Sequence, residues 1–320
     1  MAQSQTRVFE HAYYVGGYIG GILYGLELAL YFVIMRKLRK HKSGSIHSRK
    51  LSAAFCTVGL ALLTINISCN AVWGETMWIE ARGSQAHGVE TFIMTQVSAW
   101  YETLSSTCAV GLIFMGDALL LYRLFIVWGS NFLIIVIPAL AYLAAFVLAI
   151  IQLVISGTPG GNFFHGQTIA FGTPYYSITI GLNIIITFLI CGRLIHLVGG
   201  LSRSPENCHV LHFYSSLTSL MIESAALYSL LGITYLIPYA SESQTAIAFG
   251  QVWSKLTCIC PQLIILRMAS GKAWDKRKVS EAMSTLQGRS VAPQPPLANR
   301  GTEIEGTRDS DDRKSSVDQV

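Results

Sequence analysis

The chain has 320 residues, 52% of them hydrophobic and 13% charged, with a formal net charge of +5. An average soluble domain carries about 25% charged residues, so this composition excludes an ordinary water-soluble fold and points to lipid as the solvent. The positive balance does not call for nucleic acid as a partner, because basic loops beside an anionic leaflet account for it.

Seven apolar runs approach or exceed the length of about 20 residues that a helix needs to cross a hydrocarbon core of about 30 Å. They fall at 14–35, 51–73, 95–121, 132–155, 174–197, 211–237 and 247–268. The fold class expected is therefore all-α, a polytopic seven-transmembrane helix bundle in contact with the lipid bilayer. The first run follows a stretch with Arg7 as its single basic residue and is too long for a signal-peptide core, so it is expected to remain as a helix. Lys and Arg near the ends of the runs set the orientation. The segments 36–50, 122–131, 193–210 and 267–320 hold 20 of the 23 basic residues, against Arg7 and Arg82 on the opposite side. That asymmetry predicts an extracellular amino terminus at 1–13, a helical domain over 14–274 and a cytoplasmic carboxyl end, with the plasma membrane as the expected location. Residues 275–320, with Pro-Gln-Pro-Pro at 293–296 and few core-forming side chains, read as a disordered cytoplasmic tail. Arg313-Lys314-Ser315-Ser316 within it has the form of a basic-directed kinase target.

Polar residues inside the runs mark the expected bundle interior, since ionisable groups in hydrocarbon cost several kcal/mol and seek partners. The first run carries Gly16, Gly17, Gly20, Gly21 and Gly25 at spacings that let helices approach closely, together with Glu27. The second offers Asn66 and Asn70. In the third, Ser98, Glu102, Ser105, Ala109 and Gly116 form a small and polar stripe. The fifth has Thr179, Asn183 and Thr187, the sixth Ser219, Glu223 and Ala226, and the seventh Gln251, Lys255, Cys258 and Gln262 at helical spacing. Counted from the outer ends, Glu102, Lys255, Asn183 and Asn66 lie about 10 to 14 Å deep at about 1.5 Å per residue. The four are expected to meet, with Gln251, in one outer cavity. Glu27 and Glu223 lie deeper, as intramembrane structural or relay groups. Asp117 and Arg123 are expected at the inner boundary, Arg123 reaching the interface beside Trp128 as an aromatic anchor.

The words Asp-Ala-Leu-Leu-Leu-Tyr-Arg (117–123), Glu-Ser-Ala-Ala-Leu-Tyr-Ser (223–229) and Pro-Gln-Leu-Ile-Ile-Leu-Arg-Met-Ala-Ser-Gly-Lys-Ala-Trp (261–274) resemble the uncharacterised seven-helix membrane proteins expanded in mushroom-forming fungi. The resemblance covers about 14–274 and implies membrane location and architecture. It assigns no role to Asp117, Arg123, Glu223, Pro261, Arg267 or Trp274.

Several function classes compete. A receptor-like bundle implies a small-molecule ligand from outside and a cytoplasmic signalling partner at 36–50, 193–210 or 267–278. A proton or small-molecule carrier would use Glu27, Glu102, Glu223 and Lys255 as a relay, although no internal repeat is found. A scaffold would need no ligand. An enzyme is not expected, because eight histidines supply no H-x-x-x-H or H-E-x-x-H; Cys208, His209 and His212 come nearest to a metal set. A retinal Schiff base on Lys255 with Glu102 as counterion is disfavoured by Gln251, where microbial rhodopsins carry an Asp, so no cofactor is expected. Six of seven cysteines lie in the runs and Cys208 in an inner loop, so no disulfide framework is expected.

Overall fold

A computed structural model of the full chain describes residues 2–40, 46–81, 88–96, 99–129, 132–158, 166–200 and 208–270. The segment 275–320, including the Arg313-Lys314-Ser315-Ser316 word, lies outside the described residues, as do Trp274 and the side chains of Cys208, His209 and His212. The helices are α1 (Ala2–Lys40), α2 (Ile46–Glu75), α3 (Gly88–Gln96), α4 (Trp100–Val127), α5 (Phe132–Gly157), α6 (Gln167–Gly200), α7 (Cys208–Ala240) and α8 (Ala246–Ser270). Among the described residues, seven of them, all but α3, are long and apolar enough to cross a membrane. In lipid every backbone N–H and C=O must be satisfied within the segment, which is why apolar runs of this length become helices.

The spanning helices form a closed ring with α4 reaching inward. α1 packs on α8 and α2, α2 on α4, α5 on α6, α6 on α7 and α7 on α8, while α4 also touches α5, α6 and α8. α8 is the most enclosed: 72% of its most apolar stretch is buried, against 17% in α1 and in α5. Polar groups on α8 are thus held by protein rather than lipid. Apolar contact alone gives little drive in hydrocarbon, so close approach by small residues matters. A Cβ on Gly16 would stand 2.9 Å from Ala248 Cα, and one on Gly20 would stand 3.5 Å from Lys255 Cε. These two glycines admit α8 and the lysine stem. Gly21 and Gly25, from the same stripe, face away: a Cβ on either would meet nothing within 4 Å.

Two departures from the sequence reading shift positions along the bundle. The third run does not extend from 95: its start is the separate helix α3, and α4 begins only after Ala99, whose ψ of 143° breaks the helical path. Ser98 lies outside the described residues. α4 then continues to Val127, where Gly129 in the left-handed region (φ 62°) turns the chain out of the helix. α6 begins at Gln167, seven residues before the expected start, running through Pro174. α2 ends in a wider π turn, Thr76–Glu80, that keeps Trp73 and Met77 both buried.

Candidate functional site

A cavity of about 180 Å³ opens among the helix ends where α1 begins, here called the amino end of the bundle. Phe9 and Tyr13 of α1, Trp73 of α2, Ile93 of α3, Gln244 and Ile247 stand around it. Its polar floor is built on Asn66. The Asn66 Nδ2 group donates to the Ser105 carbonyl and to Ser105 Oγ, each at 3.0 Å. Asn70 Nδ2 donates to the Asn66 carbonyl and to Ser105 Oγ, each at 2.7 Å. Tyr13 hydroxyl closes the chain of bonds on the Asn70 carbonyl at 2.6 Å. Because Nδ2 must face the Ser105 carbonyl, Oδ1 is left for a donor, and Lys255 Nζ supplies it at 2.7 Å. Lys255 is only 3% exposed. A second, longer bond runs from its ammonium to Ser254 Oγ at 3.4 Å. One connected network therefore joins α1, α2, α4 and α8.

Glu102 and Gln251 line the same cavity. Glu102 sits in the first turn of α4, where a carboxylate complements the helix dipole. It does not bond the ammonium: Lys255 turns to Asn66 and Ser254, while Glu102 Oε2 and Gln251 Nε2 are enclosed without a hydrogen-bond partner among the described residues. The cavity thus presents donors from Lys255 and Gln251 and an acceptor from Glu102. Its other wall is aromatic. Tyr235 stacks on Trp253 at 5.4 Å between centroids, Tyr176 meets Tyr235 edge-on at 5.0 Å, and Trp253 Nε1 donates to the Tyr228 carbonyl at 3.2 Å. Gln152 Nε2 donates to the Tyr176 and Tyr239 hydroxyls, both at 3.2 Å.

Asn183 is not in this cavity. With α6 starting at Gln167, it lies 16 residues from that helix end, about 24 Å along the axis at 1.5 Å per residue. There it lines a small separate pocket with Asp117. Asp117 and Arg123 are 3% and 6% exposed, so both side chains are held inside the bundle, Arg123 in the last turns of α4 before Val127. Trp128 turns to α6, donating to the Leu189 carbonyl at 3.3 Å and lying under the Arg193 guanidinium at 5.2 Å. Glu223 is exposed on the outer face of α7, as are Ser219 and Ala226, so the expected stripe is turned away from the interior. The buried face of α7 carries Met221, Ser224, Tyr228, Tyr235 and Tyr239 instead. Glu27 is fully buried as expected, but as a clasp: its Oε1 accepts from Gln262 Nε2 and from Cys258 Sγ, the latter at 3.1 Å.

Sequence reasoning overlooked Gln152, Tyr13 and the tyrosines of α7. Gln152 had a signal, being the one amide in the apolar run of α5, and Tyr228, Tyr235 and Tyr239 recur at spacings of seven and four on one helical face. Among the described residues no three His, Cys, Asp or Glu side chains come together in a metal-binding group. Comparison of the chain with protein-family models, characterised proteins and solved structures gives no match.

Proposed function

We propose that this protein is a receptor-like seven-helix bundle whose amino-end cavity faces the outside and takes a small ligand with an anionic or carbonyl group. The observation that carries the reading is Lys255, a buried ammonium turned into a cavity that also holds Gln251, Glu102 and an aromatic wall. An ammonium has three N–H donors, and the neighbouring amide and hydroxyl accept two of them. A carboxylate or carbonyl oxygen satisfies the third, with the ring of the same ligand against Trp253, Tyr235 and Tyr176. Volume limits the ligand: a cavity of about 150 Å³ accepts benzene, so about 180 Å³ suits a single-ring compound. The 20 to 2 distribution of basic residues supports an outward amino end, with the basic inner segments available to a cytoplasmic signalling partner, and a receptor for an outside ligand belongs in the plasma membrane.

A carrier reading has less support. A relay through Glu223 has no place for it, because Glu223 points out of the bundle. Phe114, Tyr175 and Leu256 pack in one buried cluster with Ile113 and Trp253 of the cavity wall, so an apolar layer follows the cavity along α4 and α8.

Thermal unfolding of the purified full-length chain in nanodiscs, with a panel of small aromatic carboxylates and aromatic amino acids, tests the proposal. At least one compound is expected to raise Tm in a saturable manner, and Lys255→Met to abolish that rise. No shift across the panel, or an equal shift in the variant, refutes the ligand reading.

A further inference from the structure

A second, smaller pocket of about 20 Å³ lies deeper in the bundle, lined in part by Asp117 and Gly116 of α4, Asn183 and Thr187 of α6, Ser224 of α7, and Thr257 and Pro261 of α8. Its size is that of one or two water-sized occupants. Leu120, Met221, Cys260 and Ile264 make much of the rest of its wall apolar, and the oxygens set in that wall have spare capacity. Asp117 Oδ2 and Asn183 Oδ1 are both enclosed and have no hydrogen-bond partner among the described residues, and the whole Asp117 residue is only 3% exposed. Pro261 sits inside α8 and has no N–H, so the carbonyl of Thr257, four residues earlier, lacks its helical donor. That carbonyl is held against α4 at Gly116, where a Cβ would stand 3.5 Å from it. The Ser224 hydroxyl already gives its proton to the Met221 carbonyl at 3.1 Å and keeps its lone pairs. The Thr257 hydroxyl likewise donates to the Trp253 carbonyl at 3.1 Å.

We infer that this pocket is a binding site for a small monovalent cation, sodium in ordinary surroundings, with Asp117, Asn183 and the Thr257 carbonyl as its oxygen ligands. The chemistry selects the ion. Carboxylate, amide and backbone carbonyl oxygens are hard donors that favour alkali and alkaline-earth cations over zinc or copper, and the Cys260 thiol of the same lining is turned to the Ser224 carbonyl at 3.6 Å. A single carboxylate balances one positive charge, whereas a divalent ion would leave a net charge in a membrane interior where uncompensated charge is costly. The backbone carbonyl and the amide oxygen supply neutral coordination of the kind that replaces an ion's hydration shell. The site binds together α4, α6 and α8, the three helices that give it ligands. The inference is independent of the receptor reading, since the amino-end cavity contributes none of these oxygens.

The experiment is thermal unfolding of the full-length protein in nanodiscs, titrated with sodium chloride against choline chloride at constant ionic strength. Choline is too large for the pocket and serves as the inert cation. Sodium is expected to raise Tm along a saturable curve in the unsubstituted chain. Asp117→Asn is expected to remove the difference between the two salts, and Asn183→Ala to move the midpoint to a sodium concentration at least about tenfold higher, the loss of about 1.4 kcal/mol for one oxygen ligand. Glu223→Gln, on the outer face, should respond as the unsubstituted chain does. Equal Tm in both salts for the unsubstituted chain, or an unchanged sodium response in Asp117→Asn and Asn183→Ala, would show a pocket filled by water alone and overturn the assignment. Should Asp117→Asn not fold, the midpoint of Asn183→Ala decides the question by itself.

Discussion

Asn66→Leu is expected to be among the most damaging single substitutions in the bundle, lowering unfolding free energy by about 3 kcal/mol. Leucine keeps the branching and the number of side-chain heavy atoms, so no cavity is left and the larger part of this loss is not a packing void. It comes from stranding: the substitution removes the acceptor of the Lys255 ammonium and the donor to the Ser105 carbonyl at once. A buried charged donor without its partner costs more than a neutral one. Lys255→Met should be milder, because it removes the charge along with its need for an acceptor. The double variant Asn66→Leu with Lys255→Met is expected to lose at least about 1 kcal/mol less than the sum of the two. Reversible unfolding in mixed micelles reads all three values, and strict additivity would mean that the amide and the ammonium do not depend on each other.

The clasp of α1 to α8 at Glu27 gives the second large effect. Glu27→Ala removes the acceptor of the Gln262 amide and of the Cys258 thiol and leaves a void between two tightly packed helices. A loss of about 2 to 4 kcal/mol is expected. Glu27→Gln keeps a carbonyl oxygen at that place and should retain most of the stability. Glu223→Ala provides the contrast: the same residue type, in a similarly apolar run, but exposed on the outer face, with an expected change within about 0.5 kcal/mol. The same unfolding measurement ranks the three variants, and a Glu223 effect as large as that of Glu27 would contradict the orientation of α7.

The contrast between these glutamates shows how far the sequence could be read. Run length and hydropathy suffice for the seven spanning helices, because lipid leaves the backbone no alternative. Lys255, Glu102, Asn66 and Gln251 are legible as one group because charges and amides at helical spacing on long apolar runs stand out, and the cavity does contain them. Depth was harder. Hydropathy places the middle of a helix well and its ends poorly, and the error at Gln167 carried Asn183 from the amino-end cavity to the deeper pocket with Asp117. Facing was harder still on α7, where Glu223 and Ser224 are adjacent and either could mark the interior. The tyrosines decide it, since Tyr228, Tyr235 and Tyr239 share the face of Ser224 and fill the centre of the bundle. Pairing was not legible at all, because which partner takes the Lys255 ammonium depends on the orientation of one amide, fixed by the Ser105 carbonyl on another helix.

The central claim is a polar cavity at the amino end that opens to the outside. Its most direct test is a cysteine at Ser106, a residue of the cavity wall, exposed to an anionic, membrane-impermeant thiosulfonate reagent in intact cells. Ser106→Cys, made together with Cys69→Ser because Cys69 is half-buried, should be labelled without permeabilisation and above the background of Cys69→Ser alone, in which Cys56, Cys108, Cys191, Cys258 and Cys260 are buried. Labelling that appears only after the membrane is opened would place the cavity on the inner side, and no labelling in either condition would mean that it does not open to water.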